Sequence, residues 1–283
     1  MTAQLLDGKA VARQIYEEVA AAVSQRVQHG RSRPRLATVL VGEDAASAKY
    51  VELKQRNAHN VGIESEDHRL PADTATEELV DLTRRLSQDE AVSAILIQQP
   101  TPRQIDMRQV VMALDPVKDV DGFHPINAGL VALGWGGVEP CTPAGIIQLL
   151  ERSGVEIEGA NATVVGRSNL VGKPMALLLL KRNATVTLCH TQTRDLASHT
   201  READILVAAA GRAGLIGREM VKPGAAVVDV STNWAAGRQV GDLGPGVDEV
   251  AGWLTPNPGG VGPMTRAMLL AKVVEFAEQA TGK

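Results

Sequence analysis

Residues 162–174 read ATVVGRSNLVGKP and determine how the rest of the sequence is interpreted. A β-branched run ends at Gly166, a short polar loop follows, and Pro174 opens the apolar run MALLLL. Proline suits the first position of a helix because its missing N–H would have no partner there. The stretch therefore predicts a strand, a glycine-containing loop and a helix, an order in which backbone N–H groups can bind a phosphate.

The next apolar run, TVTLC at 185–189, begins about twenty residues after Gly166 and completes a βαβ unit. The loop has G-x5-G spacing rather than the G-x-G-x-x-G spacing of the common dinucleotide fingerprint. By spacing alone, nucleotide binding and an ordinary α/β turn are therefore both open.

The residues around this second strand indicate which nucleotide would bind. NAD-specific sites usually place an acidic residue near the end of that strand, where it binds the ribose 2′-hydroxyl. The sequence has no Asp or Glu from Pro174 to Arg194; His190 and Thr191 follow the strand, and Arg167 lies in the first loop. This pattern predicts a 2′-phosphate pocket and hence NADP.

Composition argues against several classes of partner. The chain has 283 residues, a formal net charge of −4 and only 2% aromatic residues, with no basic block, so nucleic acid is not an expected partner. No apolar run approaches the roughly 20 residues that span a bilayer, and no membrane association is expected. The N-terminal residues lack the apolar region of a signal peptide. We expect a cytoplasmic protein whose cysteines, Cys141 and Cys189, form neither a zinc site nor a disulfide framework.

Hydrophobic periodicity predicts two successive α/β series. The first consists of helices at 9–29, 45–61 and 105–114, a helix capped by Thr74 and Glu77 that runs through Leu86, and strands at 36–42, 63–70 and 94–98. Residues 115–142 break this rhythm and are predicted to be a functional loop region that leads into an inter-domain hinge. The second series consists of a helix at 143–153, strands at 162–166, 185–189, 204–209 and 225–230, and a C-terminal helix from about Pro263.

Three side chains of the first series are candidates for chemistry. Tyr50 and Lys54 are four residues apart on a predicted helix and so share one face. A partly desolvated lysine can act as an acid or base near neutral pH, and a tyrosine ring can stack on an aromatic substrate. Gln98 follows a strand, at the edge where parallel sheets bind ligands. The alternatives are a solvated helix face and a plain strand end.

Two loops carry further candidates. In PVKDVDGFHPIN (116–127) a carboxylate of Asp119 or Asp121 could hold the N–H pair of a heterocycle, or the segment is an Asx-type turn. His124 is either an acid/base or a structural residue. PNPGGVGPMT (256–265) has few side chains, so its backbone could approach a flat ligand closely. The sequence shows no helical metal spacing of histidines and no Ser/His/Asp arrangement.

Seven segments, taken in order, resemble the bifunctional methylenetetrahydrofolate dehydrogenase/cyclohydrolase family over essentially the whole chain. They are SAKYVELK (47–54), ILIQQP (95–100), KDVDGFHPIN (118–127), PCTPAG (140–145), VVGRSNLVGKP (164–174), ATVTLCH (184–190) and PGGVGPMT (258–265). The resemblance implies an enzyme of one-carbon metabolism that acts on tetrahydrofolate derivatives. It would oxidise 5,10-methylenetetrahydrofolate with NADP and hydrolyse the methenyl product to 10-formyltetrahydrofolate, without a metal.

The resemblance also implies the architecture. The family fold has two α/β domains around a cleft and usually forms a homodimer through its nucleotide domains. A folate-binding catalytic domain would span residues 1–140, with a C-terminal helix at about 263–283 packing back onto it. A Rossmann-like NADP domain with a parallel sheet would span residues 141–262.

The resemblance assigns roles to the candidate residues. Lys54 would be the central group of the cyclohydrolase step, with Gln98 helping to set its protonation. Tyr50 would stack on the aminobenzoate ring of the folate, and Asp121 would bind the edge of the pterin. The further substrate-binding residues would be Pro258, Gly259 and Gly260. The cofactor-binding residues would be Gly166, Arg167 and Ser168, with Thr191 near the 2′-phosphate and Thr232 near the nicotinamide.

The sequence departs from the family pattern at a few positions. The usual V-D-V-G-I-N reads V-D-V-S-T-N at 228–233, so Ser231 and Thr232 replace glycine and isoleucine. A larger Ser231 could tighten or reshape the nicotinamide pocket. The other departures are Gln99, Thr101 and Ala210. The alternative functions are a dehydrogenase with little cyclohydrolase activity, a non-catalytic folate- or nucleotide-binding homologue, and a generic α/β dehydrogenase for amino or hydroxy acids.

Overall fold

The computed structural model describes residues 3–235 and 237–281. The chain divides into two compact units. Unit 1 comprises the described residues up to Arg13, Val131–Trp135 and Glu139–Thr265, and unit 2 comprises Gln14–Leu130, Gly136–Val138 and the described residues from Arg266.

Strands and helices alternate through most of the described chain. The strands are β1 Gln4–Leu5, β2 Arg35–Val41, β3 Glu64–Leu70, β4 Ala94–Ile97, β5 Asn161–Val165, β6 Thr185–Cys189, β7 Ile205–Ala208, β8 Ala226–Asp229, β9 Asn233–Ala235, β10 Arg238–Val240 and β11 Trp253–Leu254. The helices are α1 Gly8–Gln28, α2 Ala45–Asn60, α3 Thr76–Gln88, α4 Met107–Ala113, α5 Pro125–Leu133, α6 Cys141–Arg152, α7 Gly172–Lys181, α8 Leu196–Thr200 and α9 Val261–Thr281. None of these helices is both long enough and apolar enough to cross a membrane.

Unit 2 contains a parallel three-stranded sheet in the order β3-β2-β4. The sequences of β2 and β4, RLATVLV and AILI, are apolar and almost wholly buried, as expected for parallel strands covered on both faces. By contrast, β3 reads ESEDHRL and is largely exposed, which suits a polar edge strand. Side chains of β2, α3 and β4 form a core that includes Val39, Leu79 and Ile95. The predicted parallel layer is confirmed.

Unit 1 contains a parallel six-stranded sheet in the order β1-β11-β8-β7-β5-β6. The chain passes from β5 to β6 on one side and then returns past β5 to β7 on the other. The strand order therefore reverses beside β5, at the point where doubly wound sheets bind ligands. The side chains of β7 and β8 are buried throughout, as the predicted apolar runs require. The predicted two-domain α/β class with a parallel sheet is confirmed.

The predicted capping box of α3 is wrong. The helix begins at Thr76, and its N-cap, Ala75, makes no side-chain capping bond. The hydroxyl of Thr74 instead donates to the Pro71 carbonyl at 2.7 Å and closes the preceding turn. Glu77 lies in the first turn of the helix, where a negative charge interacts favourably with the helix dipole.

The prediction that residues 115–142 form only loop is also wrong, because they contain α5 and the start of α6. The buried carboxylate of Asp119 accepts from the His124 N–H at 2.7 Å and from Asn127 Nδ2 at 3.0 Å. These bonds join residues five and eight positions apart and hold the chain where α5 begins, and hydrophobic periodicity does not predict them.

Several predicted boundaries shift by a few residues. Helix α7 begins at Gly172, so Pro174 is its third residue rather than its first, although first-turn N–H groups lack helical partners there too. Helix α9 begins at Val261 and is described to Thr281, while Gly282 and Lys283 lie outside the described residues. The short strands β1, β9, β10 and β11 were not predicted, since two or three residues carry too little periodicity.

Candidate active site

The centre of the candidate site in unit 2 is a hydrogen bond between Lys54 on α2 and Gln98, the residue after β4. Lys54 Nζ donates to Gln98 Oε1 at 3.0 Å. Gln98 Nε2 donates to the Gln99 carbonyl at 2.6 Å, which directs the amide oxygen towards the lysine. The Gln98 N–H donates to the Val39 carbonyl at 2.8 Å, so the residue is fixed to the end of the sheet. Because Gln98 is neutral, it positions Nζ without adding a counter-charge that would favour the ammonium form.

Tyr50 lies one helical turn before Lys54, on the same face of α2. The residue is 40% exposed, so its ring is open to a stacking partner. Asp44 is the N-cap of the helix that carries both side chains, and its carboxylate accepts from the Ser47 N–H at 2.7 Å. This cap stabilises the first turn of α2, which directly precedes Tyr50.

Asp121 reaches the same edge of the sheet through a short parallel pairing beside β4. Ile95 forms a parallel bridge with Asp119, and its N–H donates to the Lys118 carbonyl at 2.8 Å. The Gly122 N–H donates to the Asp119 carbonyl at 3.2 Å, so Asp121 lies in a turn directly after this bridge. Gly122 then turns the chain with a φ of 68°, a conformation that favours glycine.

The other two candidates of this loop have structural roles. Asp119 is only 1% exposed and holds the start of α5. His124 is 5% exposed, and its Nδ1 accepts from the Ile126 N–H at 3.2 Å. The structural interpretation of His124 is therefore favoured over a role as acid or base, while Asp121 stays half-exposed at the sheet edge.

The glycine loop of unit 1 folds tightly at the end of β5. Gly166 has a φ of 129°, and a Cβ there would collide with the Ala209 carbonyl. A Cβ at Gly172 would collide with the Gly166 carbonyl. Both ends of the G-x5-G spacing are therefore required for the loop to return onto the start of α7.

Ser168 and Arg167 have different roles in this loop. The Ser168 hydroxyl accepts from the N–H groups of Val171 at 3.1 Å and Gly172 at 3.4 Å, and so orders the turn into α7. Arg167 is exposed and makes no ion pair with any other residue that the structure describes. Its guanidinium is available for an anion beside a helix N-terminus.

Thr191 lies beside the glycine loop, in the turn that follows β6. The Gly166 N–H donates to the Cys189 carbonyl at 2.9 Å, which joins the ends of β5 and β6. The turn is closed by the Thr193 hydroxyl, which accepts from the His190 N–H at 2.8 Å, and it leaves Thr191 exposed. The first acidic residue after β6, Asp195, accepts from the Ser198 N–H and caps α8. A 2′-phosphate would therefore meet a hydroxyl here rather than a free carboxylate, and the residues present fit NADP.

The remaining predicted residues follow β8 and β11, at the same carboxyl edge of the sheet. Thr232 is exposed between β8 and β9. Gly259, with a φ of 120°, and Gly260 are buried, while Pro258 is exposed. A Cβ at Gly260 would lie 2.7 Å from the Thr255 side chain and 2.9 Å from the Pro256 carbonyl, so the loop is fixed by close backbone packing.

Asp242, which was not among the predicted site residues, is fully buried and accepts hydrogen bonds from the loops after β7 and β8. An aspartate within GDLGPG is typical of a turn, so no local signal distinguishes it. Among residues 3–235 and 237–281, no group of three or more His, Cys, Asp or Glu side chains is arranged to hold a metal ion.

Together, the glycine loop at the point of strand reversal and the lysine–amide pair at the end of a second sheet define a two-domain α/β enzyme that binds a dinucleotide. Residues 140–281 match the family model described as tetrahydrofolate dehydrogenase/cyclohydrolase, NAD(P)-binding domain. Residues 6–121 match the catalytic domain of the same family. The chain belongs to the tetrahydrofolate dehydrogenase/cyclohydrolase family.

Individual relatives match this chain over essentially its full length. The chain is 51% identical to the bifunctional protein FolD of Sorangium cellulosum, with 100% of each chain covered. It superimposes on the bifunctional FolD methylenetetrahydrofolate dehydrogenase/cyclohydrolase of Campylobacter jejuni with a TM-score of 0.95 and 42% identity, covering 98% of this chain and 99% of the other. The Trypanosoma brucei dehydrogenase–cyclohydrolase, solved with NADP and an inhibitor, gives a TM-score of 0.94 and 36% identity, with 100% of both chains covered. The predicted family and the predicted bifunctional enzyme are confirmed.

Proposed function

We propose that this enzyme oxidises 5,10-methylenetetrahydrofolate with NADP and hydrolyses the methenyl product to 10-formyltetrahydrofolate. The observation that carries the proposal is the 3.0 Å hydrogen bond from Lys54 to Gln98 at the carboxyl edge of the unit 2 sheet. A generic dinucleotide enzyme for amino or hydroxy acids has no need of this pair. The name of the Campylobacter jejuni relative gives both activities.

The oxidation depends on orientation of the substrate. The carboxylate of Asp121 holds the N–H groups at the pterin edge through paired hydrogen bonds, and the ring of Tyr50 stacks on the aminobenzoate. The backbone of Pro258, Gly259 and Gly260 adds contacts to the folate. When bound, NADP supplies the hydride acceptor. Loss of hydride from the methylene carbon leaves a cation that the two flanking nitrogens stabilise, so most of the catalysis is positioning.

The hydrolysis depends on proton transfer by Lys54. The neutral amine takes a proton from water while the water oxygen bonds to the methenyl carbon. The ammonium then returns that proton to the ring nitrogen as its bond to the carbon breaks. The hydroxyl proton leaves to solvent as the formyl C=O forms, so one proton is released overall. Gln98 keeps Nζ in place during both transfers.

The NADP site is proposed at the carboxyl edge of the unit 1 sheet. Gly166, Arg167 and Ser168 approach the phosphates, with Thr191 near the 2′-phosphate and Thr232 near the nicotinamide. The exposed guanidinium of Arg167 and the use of Asp195 as a helix cap support NADP over NAD.

We assign the folate-binding domain to residues 1–140 with the C-terminal helix, and the NADP domain to residues 141–262. The assignment is supported by the placement of Lys54 and Gln98 in unit 2 and of the glycine loop in unit 1. The return of the C-terminal helix is supported by Arg26 of α1, which donates to the Ala277 carbonyl at 3.0 Å. Arg26 also pairs with Glu278 at 2.9 Å.

We further propose a cytoplasmic homodimer. Strand β6 is an edge of the unit 1 sheet, and Leu188 on it is 36% exposed, so a second copy can cover this edge. Both cysteines, Cys141 and Cys189, are free and buried, which suits a reducing compartment. Light scattering of the purified protein tests the dimer, and a monomeric mass contradicts it.

A dual assay tests the function. Purified protein mixed with methylenetetrahydrofolate and NADP should produce methenyl absorbance, and added methenyltetrahydrofolate should lose it faster than in buffer. Binding of both ligands with neither activity would instead establish a non-catalytic homologue. Accumulation of methenyl product without hydrolysis would establish a dehydrogenase with little cyclohydrolase activity. Equal efficiency with NAD and NADP would contradict the cofactor assignment.

A further inference from the structure

Asp242, which follows β10, is completely buried and surrounded by hydrogen-bond donors. The donors and their distances are the Ala210 N–H at 2.6 Å, the Gly211 N–H at 3.1 Å, the Arg212 N–H at 2.7 Å, the Ser231 hydroxyl at 2.7 Å and Asn233 Nδ2 at 3.0 Å. Three of these donors belong to the loop after β7, and two belong to the segment that follows β8. One carboxylate therefore joins two loops at the ligand-binding edge of the sheet.

Ser231 makes this junction more extensive than a glycine could. Its hydroxyl donates to Asp242 Oδ2 at 2.7 Å and accepts from the Gly211 N–H at 3.0 Å. Its carbonyl accepts from Asn257 Nδ2 at 2.8 Å, which connects the junction to the segment just before Pro258. The hydroxyl therefore points towards Gly211 and Asp242 and bonds to both of them.

Thr232, the next residue, is exposed, so Ser231 fixes the position from which Thr232 projects. Asp242 is fully buried, so the hydrogen bonds that hold this loop are shielded from displacement by water. The Ser231 hydroxyl therefore restrains this loop.

We infer that Ser231 and Asp242 are positioning residues for the dehydrogenase reaction, which hold the Thr232 loop against residues 210–212 and thereby orient the nicotinamide. The inference rests on the proposed function, because it takes Thr232 to lie beside the nicotinamide. Small misplacement of a reacting carbon costs rate rather than affinity, since the phosphates bind at the separate glycine loop.

The test compares Ser231→Ala and Ser231→Gly with wild type in both activities. The dehydrogenase kcat is expected to fall about tenfold in Ser231→Ala and further in Ser231→Gly, whose backbone is freer. The KM for NADP is expected to stay within about twofold, and so is the cyclohydrolase kcat, which requires Lys54 and no dinucleotide. The matched control is Ser153→Ala, because Ser153 is the C-cap that follows α6 and its side chain makes no hydrogen bond with the described residues.

A second measurement uses the protein without cofactor. Amide hydrogen exchange of residues 210–212 is expected to be several-fold faster in Ser231→Ala than in wild type or Ser153→Ala. Wild-type kcat in both Ser231 variants, unchanged exchange, or a parallel fall of both activities would overturn the inference while leaving the proposed function intact. Absence of NADP-linked oxidation in the wild type would overturn the proposed function, and the inference with it.

Discussion

In unit 2, the side chain of Lys54 meets a neutral amide 3.0 Å away, whereas in unit 1 the carboxylate of Asp242 is fully buried among five donors. The lysine is half-buried, and the proposed hydrolysis requires it to exchange a proton. The aspartate has its acceptor capacity filled and serves as a fixed anchor. Under the proposed mechanism, the chain thus separates a group that changes its charge from a carboxylate that serves as a fixed hydrogen-bond acceptor.

The largest expected effect is on hydrolysis and comes from removal of the Lys54 amine, the group proposed to exchange a proton. Lys54→Met should lower the cyclohydrolase kcat by about a thousandfold, within the range for loss of a general acid–base. NADP affinity should be unchanged, because the glycine loop lies in unit 1. The decay of methenyl absorbance, corrected for the reaction in buffer, and titration calorimetry with NADP provide the two measurements.

Lys49→Met is the matched control for this change. Lys49 is exposed on the same helix, five residues before Lys54, and so points away from the Tyr50–Lys54 face. It should retain wild-type hydrolysis. Unchanged hydrolysis in Lys54→Met would remove the lysine from its assigned role.

Loss of the fixed anchor should have the next largest effect. Asp242→Asn places an amide N–H group where backbone N–H groups now donate, and it removes the charge that they share. The free energy of unfolding should fall by about 3 kcal/mol, as measured by urea denaturation. Asp248→Asn, at an exposed position of the same unit, should change it by less than about 0.5 kcal/mol. Equal stability of the two variants would show that Asp242 is not an anchor.

The two regions also differ in what sequence alone could predict. Lys54 and Gln98 were found because each carries a local signal: a shared helix face with Tyr50, and the end of an apolar strand. Asp242 carries no such signal, because its donors come from three backbone positions after β7 and two side chains after β8. The resemblance identified Ser231 as a departure but could not give the direction of its hydroxyl.

The same distinction explains the errors in the predicted fold. Buried strands such as β2 and β7 are continuous apolar runs, so periodicity and composition suffice to find them. Helix α5 was missed because its start depends on Asp119, a buried carboxylate held by the tertiary structure. The predicted Thr74 cap failed for a related reason, since a turn closed on Pro71 competes for the same hydroxyl.

The third prediction concerns Gln98→Glu, which places a carboxylate beside Lys54 in place of a neutral amide. The negative charge beside Lys54 favours the ammonium form, so the neutral amine needed to activate water becomes scarcer at neutral pH. The cyclohydrolase kcat should fall about tenfold at pH 7 and recover as the pH rises. Gln88→Glu, at the exposed end of α3, is the control and should keep the wild-type pH profile. A loss that does not recover at high pH would contradict this account of the neutral amide.

The smallest expected effect concerns Asp229, the neighbour of the anchor. Burial raises the pKa of Asp229 above its usual value of 3.8, and the nearby charge of Asp242 acts in the same direction. The folded state therefore binds this proton more tightly than the unfolded state does. It follows that the contribution of Asp229 to the free energy of unfolding falls as the pH rises from 3.8 through the raised pKa, and is constant above it.

Asp229→Asn should remove this pH dependence, because the amide does not titrate. Unfolding free energies measured by urea denaturation between about pH 4 and pH 7 should show wild type losing stability relative to Asp229→Asn as the pH rises. Asp248→Asn should run parallel to wild type over the same range. A constant difference between wild type and Asp229→Asn would mean that folding does not raise the pKa of Asp229. In that case Lys54 of unit 2 would still contrast with Asp242 of unit 1, but Asp229 and Asp242 would not differ from each other in this respect.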